Sequence, residues 1–389
     1  MSIFGSVVNR ANAQSVQETR RHISREESDF IVLSRIVMII GLVFHHVFTL
    51  TGSEFYPRHA IDPSTAHIAD YLNSLIHWMA MAAVPCLSVI SGYLFFRREV
   101  VNYFQLLHRR ITTVLLPSIA WSSFWFFLAY LAYIWGARNG HFGWLDYSFN
   151  QMGPKLYLDG ALGIGRLPYA IQFWFIHDLV LTFALCPVIG WLASRLPLVF
   201  LLVLGGVWGF RGEFSPFFSP NVLFFFSVGA VAATTRFDFD WVVRILSPFR
   251  WIIGVAFVSL LVGRMFQDAH SLLASYKYLC LLRAVGLLAF ILLMNSLTLR
   301  DNIALRILRY LSPFSFFIFA FHYPALEFIR EIVREVPGYD SEFGMLVFFF
   351  ALPALCLAVS VIMAQGLRWL SPSLFMFVNG GSSGSGRGS

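Results

Sequence analysis

The stretch Asp29 to Leu50, DFIVLSRIVMIIGLVFHHVFTL, constrains this chain more than any other. It is almost wholly apolar and about 20 residues long, enough to cross a hydrocarbon core as a helix. Arg35 near its start, and His45 with His46 in its second half, interrupt it. A charged side chain inside a membrane helix costs at least roughly 3 kcal/mol, so its presence points to a function. From Arg35 to His46 is about three helical turns, which puts both on one face, roughly 16 Å apart along the axis. His45 lies about 80° off that face. One helix face thus carries a fixed cation toward one membrane surface and a titratable base toward the other.

The rest of the chain fits a membrane setting. Hydrophobic residues make up 58% of the 389 and charged residues 13%, about half the charge of a soluble domain. The expected fold class is all-α, a polytopic integral membrane protein with about 10 transmembrane helices. Apolar runs fall near 31–50, 73–96, 112–135, 171–193, 197–211, 220–235, 251–267, 276–296, 311–329 and 343–370. With the N-terminus inside, about 16 basic residues fall in inner segments against about 7 in outer ones, which predicts both termini cytoplasmic. The same rule accounts for the net charge of +7, so membrane lipids, and not nucleic acid, are the expected surroundings. Residues 1–28 read as a cytoplasmic polar arm without a signal peptide, 29–378 as one transmembrane domain, and 379–389 as an expression linker remnant. The outer segments 51–72 and 136–170 are long enough to carry function or a lid.

Depth sorts the polar residues. His46, His77, His177 with Asp178, and His322 fall in one outer layer. Arg35 falls near Arg97, Arg98, Arg109 and Arg110 on the inner side. The plain readings are that cytoplasmic arginines report topology and that a membrane histidine joins two helices by hydrogen bonds. Cys86, Cys186, Cys280 and Cys356 sit in apolar runs without metal-ligand spacing, so they read as packing residues and no metal is expected.

Five motifs, taken in order, resemble the acyltransferase-3 family of integral membrane O-acyltransferases, in particular members that modify exopolysaccharides. They are Arg35 with His46 eleven positions on, VPCLSVISGYLFF (84–96), HRRITTVLLP (108–117), QFWFIHDLVL (172–181) and LSPFSFFIFAFHYP (311–324). Two departures stand out: Cys86, Leu87 and Val89 where aromatics often precede Ser-Gly, and Val114 where a second spaced basic residue is usual. The resemblance implies a cytoplasmic acyl-CoA donor, no bound cofactor, and a sugar hydroxyl on an extracytoplasmic polysaccharide or lipid-linked oligosaccharide. It implies a bacterial inner (cytoplasmic) membrane. Arg35, Arg109, Arg110, Ser91 and Tyr93 then fall to the donor. His46 is the expected general base, with Asp178 to orient an imidazolium and His322 to assist, while Trp174 and His177 fall to the acceptor.

Acetyl and succinyl remain level as the transferred group. A succinyl carboxylate needs a buried cation near the reacting end, and Arg283, in YKYLCLLRAVGLLAF, offers one. The alternative is that Arg283 pairs with Asp178 or Glu327. A glycolipid transporter or flippase is the competing function, weakened by the lack of an evident internal repeat.

Overall fold

The computed structural model describes residues 25–47, 66–97, 103–139, 149, 153–163, 168–211, 219–235, 239–266, 276–298, 302–334, 336–339 and 341–381. Among these the regular structure is wholly helical. Arg98, most of the polar arm and much of both long outer segments lie outside the described residues.

Within the described residues every apolar run forms helix, but not every helix is long enough to span. Seven are: Glu26–His45, Ile68–Arg97, Tyr103–Gly136, Trp241–Met265, Tyr276–Thr298, Ile303–Arg330 and Glu342–Leu370. Ile171–Ala184 and Cys186–Arg195, bent by 66° at their junction, make up to eight if they form one span. Pro197–Phe210 and Pro220–Thr234 are apolar but shorter; at 1.5 Å per residue they reach little over 20 Å, against about 30 Å of hydrocarbon. Length and composition therefore support seven or eight spans among the described residues, fewer than the ten apolar runs.

Helix α1 (Arg25–His45) is the hub. It begins inside what the sequence divides off as the polar arm. It packs against α2 (Ile68–Ala80), α3 (Ala83–Arg97), α13 (Tyr276–Thr298), α14 (Ile303–Leu311), α15 (Ser315–Arg334) and α16 (Glu342–Leu370). Leu33, Ile36 and Val43 are fully buried along it. Its start is tied to α14 by Arg309 and Asp29, at 3.3 Å. The opposite end of the bundle is tied by Glu342, which accepts from the Ile68 amide at 2.7 Å and pairs with His67 at 2.5 Å. The molecule thus has a basic end, where α1 starts, and a histidine end, where it stops.

Two backbones touch to hold α3 in place. A Cβ at Gly92 would lie 2.0 Å from the Phe226 carbonyl oxygen, and one at Gly229 would lie 2.1 Å from that of Val89. Phe226 and Gly229 belong to α10 (Pro220–Thr234), so the helices approach as closely as small residues permit. The Ser-Gly-Tyr motif is thereby explained in part. Gly92 seats the helix, Ser91 faces a cleft, and Tyr93 donates a hydrogen bond to Glu27 of α1.

Helix α15 carries Pro324 inside it. Proline has no N–H, so the Ala320 carbonyl one turn earlier loses its helical partner. In hydrocarbon that loss has to be made good by protein. Trp125 Nε1 and Gln172 Nε2 both donate to it, each at 3.1 Å. His322 sits in this opened turn. At the C-terminus, α17 (Pro372–Val378) is followed by Asn379, which is buried, accepts from the Phe317 amide at 3.2 Å and donates to the Pro313 carbonyl at 2.9 Å. Asn379 is therefore part of the helical packing, inside the segment that composition assigns to the linker.

Replacing Gly92 or Gly229 with leucine should force α3 and α10 apart, against rigid backbone and not a movable side chain. The expected outcome is loss of monodisperse elution in detergent, and Gly229→Ala should lower the melting temperature by an overpacking cost of about 1–3 kcal/mol. Wild-type elution and melting in all three variants would contradict the close contact.

Candidate functional site

At the basic end, a cleft of about 150 Å³ opens between α1, α3, α7 (Trp174–Ala184), α15 and the π-helical turn Ile111–Leu115. Arg35 and Arg110 line it with Ser91; its walls are apolar, among them Ile39, Leu94, Leu179 and Phe319. Arg35 stays open to the cleft although its neighbours Ser34 and Ile36 are fully buried. Among the described residues no carboxylate pairs with it. Arg110 ends α4 (Tyr103–Arg110), and its guanidinium lies 5.2 Å from the centre of the Phe183 ring. The π turn follows it at once. Such wide turns leave carbonyls without their usual partners and gather at functional sites. Here the Arg109 carbonyl accepts from the Thr112 and Thr113 hydroxyls, at 3.0 and 2.7 Å.

The structure separates the two adjacent arginines. Arg110 enters the cleft; Arg109 is exposed and is not among the lining residues. Val114, standing where a further basic residue is usual, is also a wall residue. Tyr93 is turned toward α1 through Glu27, with the Arg97 guanidinium 5.7 Å from its ring centre.

The histidines lie next to the cleft and do not line it. Phe319 lines the cleft, and His322, one turn further along α15, donates from Nδ1 to the Phe319 carbonyl at 2.7 Å. A carbonyl can only accept, so this bond fixes the His322 tautomer and leaves Nε2 unprotonated when the ring is neutral. His322 is fully buried, and among the described residues Nε2 has no hydrogen-bond partner. The His46 ring lies 5.3 Å from that of His322 and 4.8 Å from Tyr323. His45 does not point away into packing. Its ring is 4.7 Å from His46 and stacks at 4.3 Å on His77. His77 meets Trp78 at 4.7 Å, and the buried Arg264 guanidinium sits 4.2 Å over the indole.

Sequence reasoning brings His46 and His322 to one layer correctly, and it misses Arg264, Gln172 and Trp125 as its supports. The Arg264 signal was present: a cation in the last turn of the 251–267 run. Asp178 is buried, and its carboxylate accepts from the Ser219 amide at 3.0 Å, tying α7 to the start of α10. Trp174 and His177 are half-buried on α7, with the His177 ring beside Gly163. Glu327 pairs with Arg330 at 2.5 Å. Arg283 is half-buried on α13, and among the described residues no carboxylate pairs with it.

A polytopic helical bundle with a cationic cleft one helical turn from buried imidazoles suits transfer chemistry inside a membrane, and the sequence comparisons agree. The acyltransferase domain matches over residues 29–365, so the chain belongs to the acyltransferase-3 family of membrane proteins. Among named proteins it resembles the succinoglycan biosynthesis protein ExoH of Rhizobium meliloti (strain 1021). The two are 28% identical over 362 residues, covering 92% of this chain and 93% of that one. No solved structure matches.

Substitution distinguishes an anchoring role of Asp178 from a catalytic one. Asp178→Ala removes the acceptor of the half-buried Ser219 amide, so unfolding should become easier by about 1–3 kcal/mol. Asp178→Asn, which keeps an acceptor, should recover most of that stability. An unchanged melting temperature in the alanine variant with turnover lost would instead assign the carboxylate to the chemistry.

Proposed function

We propose that the protein transfers an acyl group, acetyl or succinyl, from acyl-CoA at its cytoplasmic side to a sugar hydroxyl. The acceptor is an exopolysaccharide or its lipid-linked precursor on the other side of a bacterial inner membrane, and both termini are cytoplasmic. The observation that carries this reading is adjacency. Arg35, Arg110 and Phe319 line one cleft, and His322, its ring beside that of His46, stands one turn beyond Phe319 on α15.

Each part has a physical task. Phosphates are bound bidentately by guanidinium groups, which suits Arg35 and Arg110 to the nucleotide end of CoA. The pantetheine arm is thin and mostly uncharged, so it matches a narrow apolar channel. The span from Arg35 to His46, roughly 16 Å by helical rise, is bridged by that arm. At its end the acceptor oxygen attacks the thioester carbonyl. His46 takes the hydroxyl proton, a C–O bond forms, the C–S bond breaks, and the proton passes to the departing CoA sulfur. A neutral imidazole can take a proton and, once protonated, return it, so it serves both as base and as acid. His322, held by the Phe319 carbonyl, presents a lone pair beside His46 and helps to hold the proton or the acceptor. Outside the Gly-Ser-rich tail the sequence holds no Gly-x-Ser-x-Gly motif, so direct transfer is the simpler course. Arg283 is the cation for a succinyl carboxylate, because burying that charge alone would cost several kcal/mol.

The test is label transfer. Purified protein with radiolabelled acetyl- or succinyl-CoA and a cell-envelope glycan should yield labelled glycan, and His46→Ala should abolish it with elution and CoA affinity near wild type. His45→Ala should keep part of the activity, since its ring contacts His46 from outside the Arg35 face. Normal turnover in His46→Ala would end the assignment, and uptake of unmodified glycan would favour a transporter.

Donor binding distinguishes the arginines. Arg35→Ala and Arg110→Ala should each weaken acyl-CoA binding by about tenfold, the loss of one charge-assisted contact. Arg109→Ala should change it by less than about twofold, as expected for an exposed charge. Equal effects at Arg109 and Arg110 would place the phosphates outside the cleft.

A further inference from the structure

One segment type occurs twice. RILSPF (244–249) and RYLSPF (309–314) each close a short amphipathic helix and open a long apolar one. The first elbow joins α11 (Phe239–Leu246) to α12 (Arg250–Met265) through a 3₁₀ turn at Ser247–Phe249. The second joins α14 to α15 through a 3₁₀ turn at Ser312–Phe314. Arg244 and Arg309 hold the same position in the two. Arg309 is neutralised by Asp29, at 3.3 Å. Among the described residues no carboxylate pairs with Arg244.

Arg244 instead faces a cavity of about 450 Å³, away from the donor cleft, together with Arg250, Ser247, Asn295 and Ser296. The last two stand at the end of α13, and only residues 299–301 separate α13 from Asn302, the N-cap of α14. The cavity is therefore at the same end of the bundle as Asp29 and Arg35. Around it the surface is apolar and uncovered: Trp251 is 74% exposed and Ile252 68%, with Trp241 and Phe249 about half exposed. Two guanidiniums that no carboxylate among the described residues neutralises, beside amide and hydroxyl donors, make an anion pocket. The exposed indoles and aliphatic side chains next to it are what an acyl-chain region requires.

We propose that this cavity binds the phosphate headgroup of an anionic phospholipid of the inner leaflet. The phosphate lies between Arg244 and Arg250, Asn295 and the two serines complete its hydrogen bonds, and the acyl chains run along Trp251 and Ile252. Basic pockets between helices at the cytoplasmic boundary suit this chemistry. The second elbow needs no such lipid because Asp29 supplies the anion within the protein.

The experiment is native mass spectrometry of the full chain released from nanodiscs holding equal phosphatidylglycerol and phosphatidylcholine. Wild type should retain phosphatidylglycerol with a preference of about tenfold or more. Arg244→Gln with Arg250→Gln should lose that preference, and label transfer to glycan should persist in detergent. Arg306→Gln, on α14, controls for general surface charge and should keep the preference. Equal retention by wild type and double variant would overturn the proposal. So would displacement of the lipid by millimolar inorganic phosphate, which would make the pocket a site for soluble phosphate. If the double variant does not elute as a folded protein, Asn295→Leu, which fills the pocket without changing charge, should show the same loss of preference.

Discussion

An arginine and a histidine on one face of a membrane helix have to be sheltered from hydrocarbon by other helices, and the packing around α1 meets that need. Six helices touch it. The Gly92–Gly229 region lets α3 settle against α10 at backbone distance, which builds one wall of the cleft that receives Arg35. The opened turn of α15 brings His322 against His46 at the other end. The turn also shows how a polar group freed inside the membrane is satisfied by protein: the Ala320 carbonyl accepts from Trp125 and Gln172.

Motif residues divide between chemistry and construction. In Ser-Gly-Tyr, only Ser91 faces the cleft; Gly92 and Tyr93 fix the helix that carries it. In the His-Tyr-Pro segment, Pro324 frees the Ala320 carbonyl, and Trp125 and Gln172 claim it, so the imidazole of His322 rests on a doubly anchored turn. Asp178 likewise caps the entry to α10. A short polar motif in this bundle is thus mostly scaffold, and only a minority of its residues line the cleft or crowd one another.

Periodicity and charge made the α1 face legible: the eleven-residue spacing put Arg35 and His46 on one side, and the structure places one on the cleft and the other beside His322. The number of spans was less legible, because hydropathy cannot tell a full crossing from the shorter helices at Pro197–Phe210 and Pro220–Thr234. The choice between Arg109 and Arg110 was not legible at all. The two lie about 100° apart on α4, and which of them meets the cleft depends on how that helix docks, which no propensity rule marks. The His45–His77 stack was hidden too, since a residue 80° off one helix face can still meet a third helix. The repeated elbow escaped notice because six residues fall well below the length of a structural repeat.

The central claim is that donor phosphates at Arg35 and Arg110 and a reacting thioester at His46 and His322 belong to one continuous site. A cryo-EM map of the protein with a non-hydrolysable acyl-CoA analogue tests it most directly. The account predicts phosphate density within hydrogen-bond reach of both guanidiniums, with the acyl carbon between Phe319 and the paired imidazoles. Density for the nucleotide elsewhere, or a chain that leaves the cleft before Phe319, would contradict it.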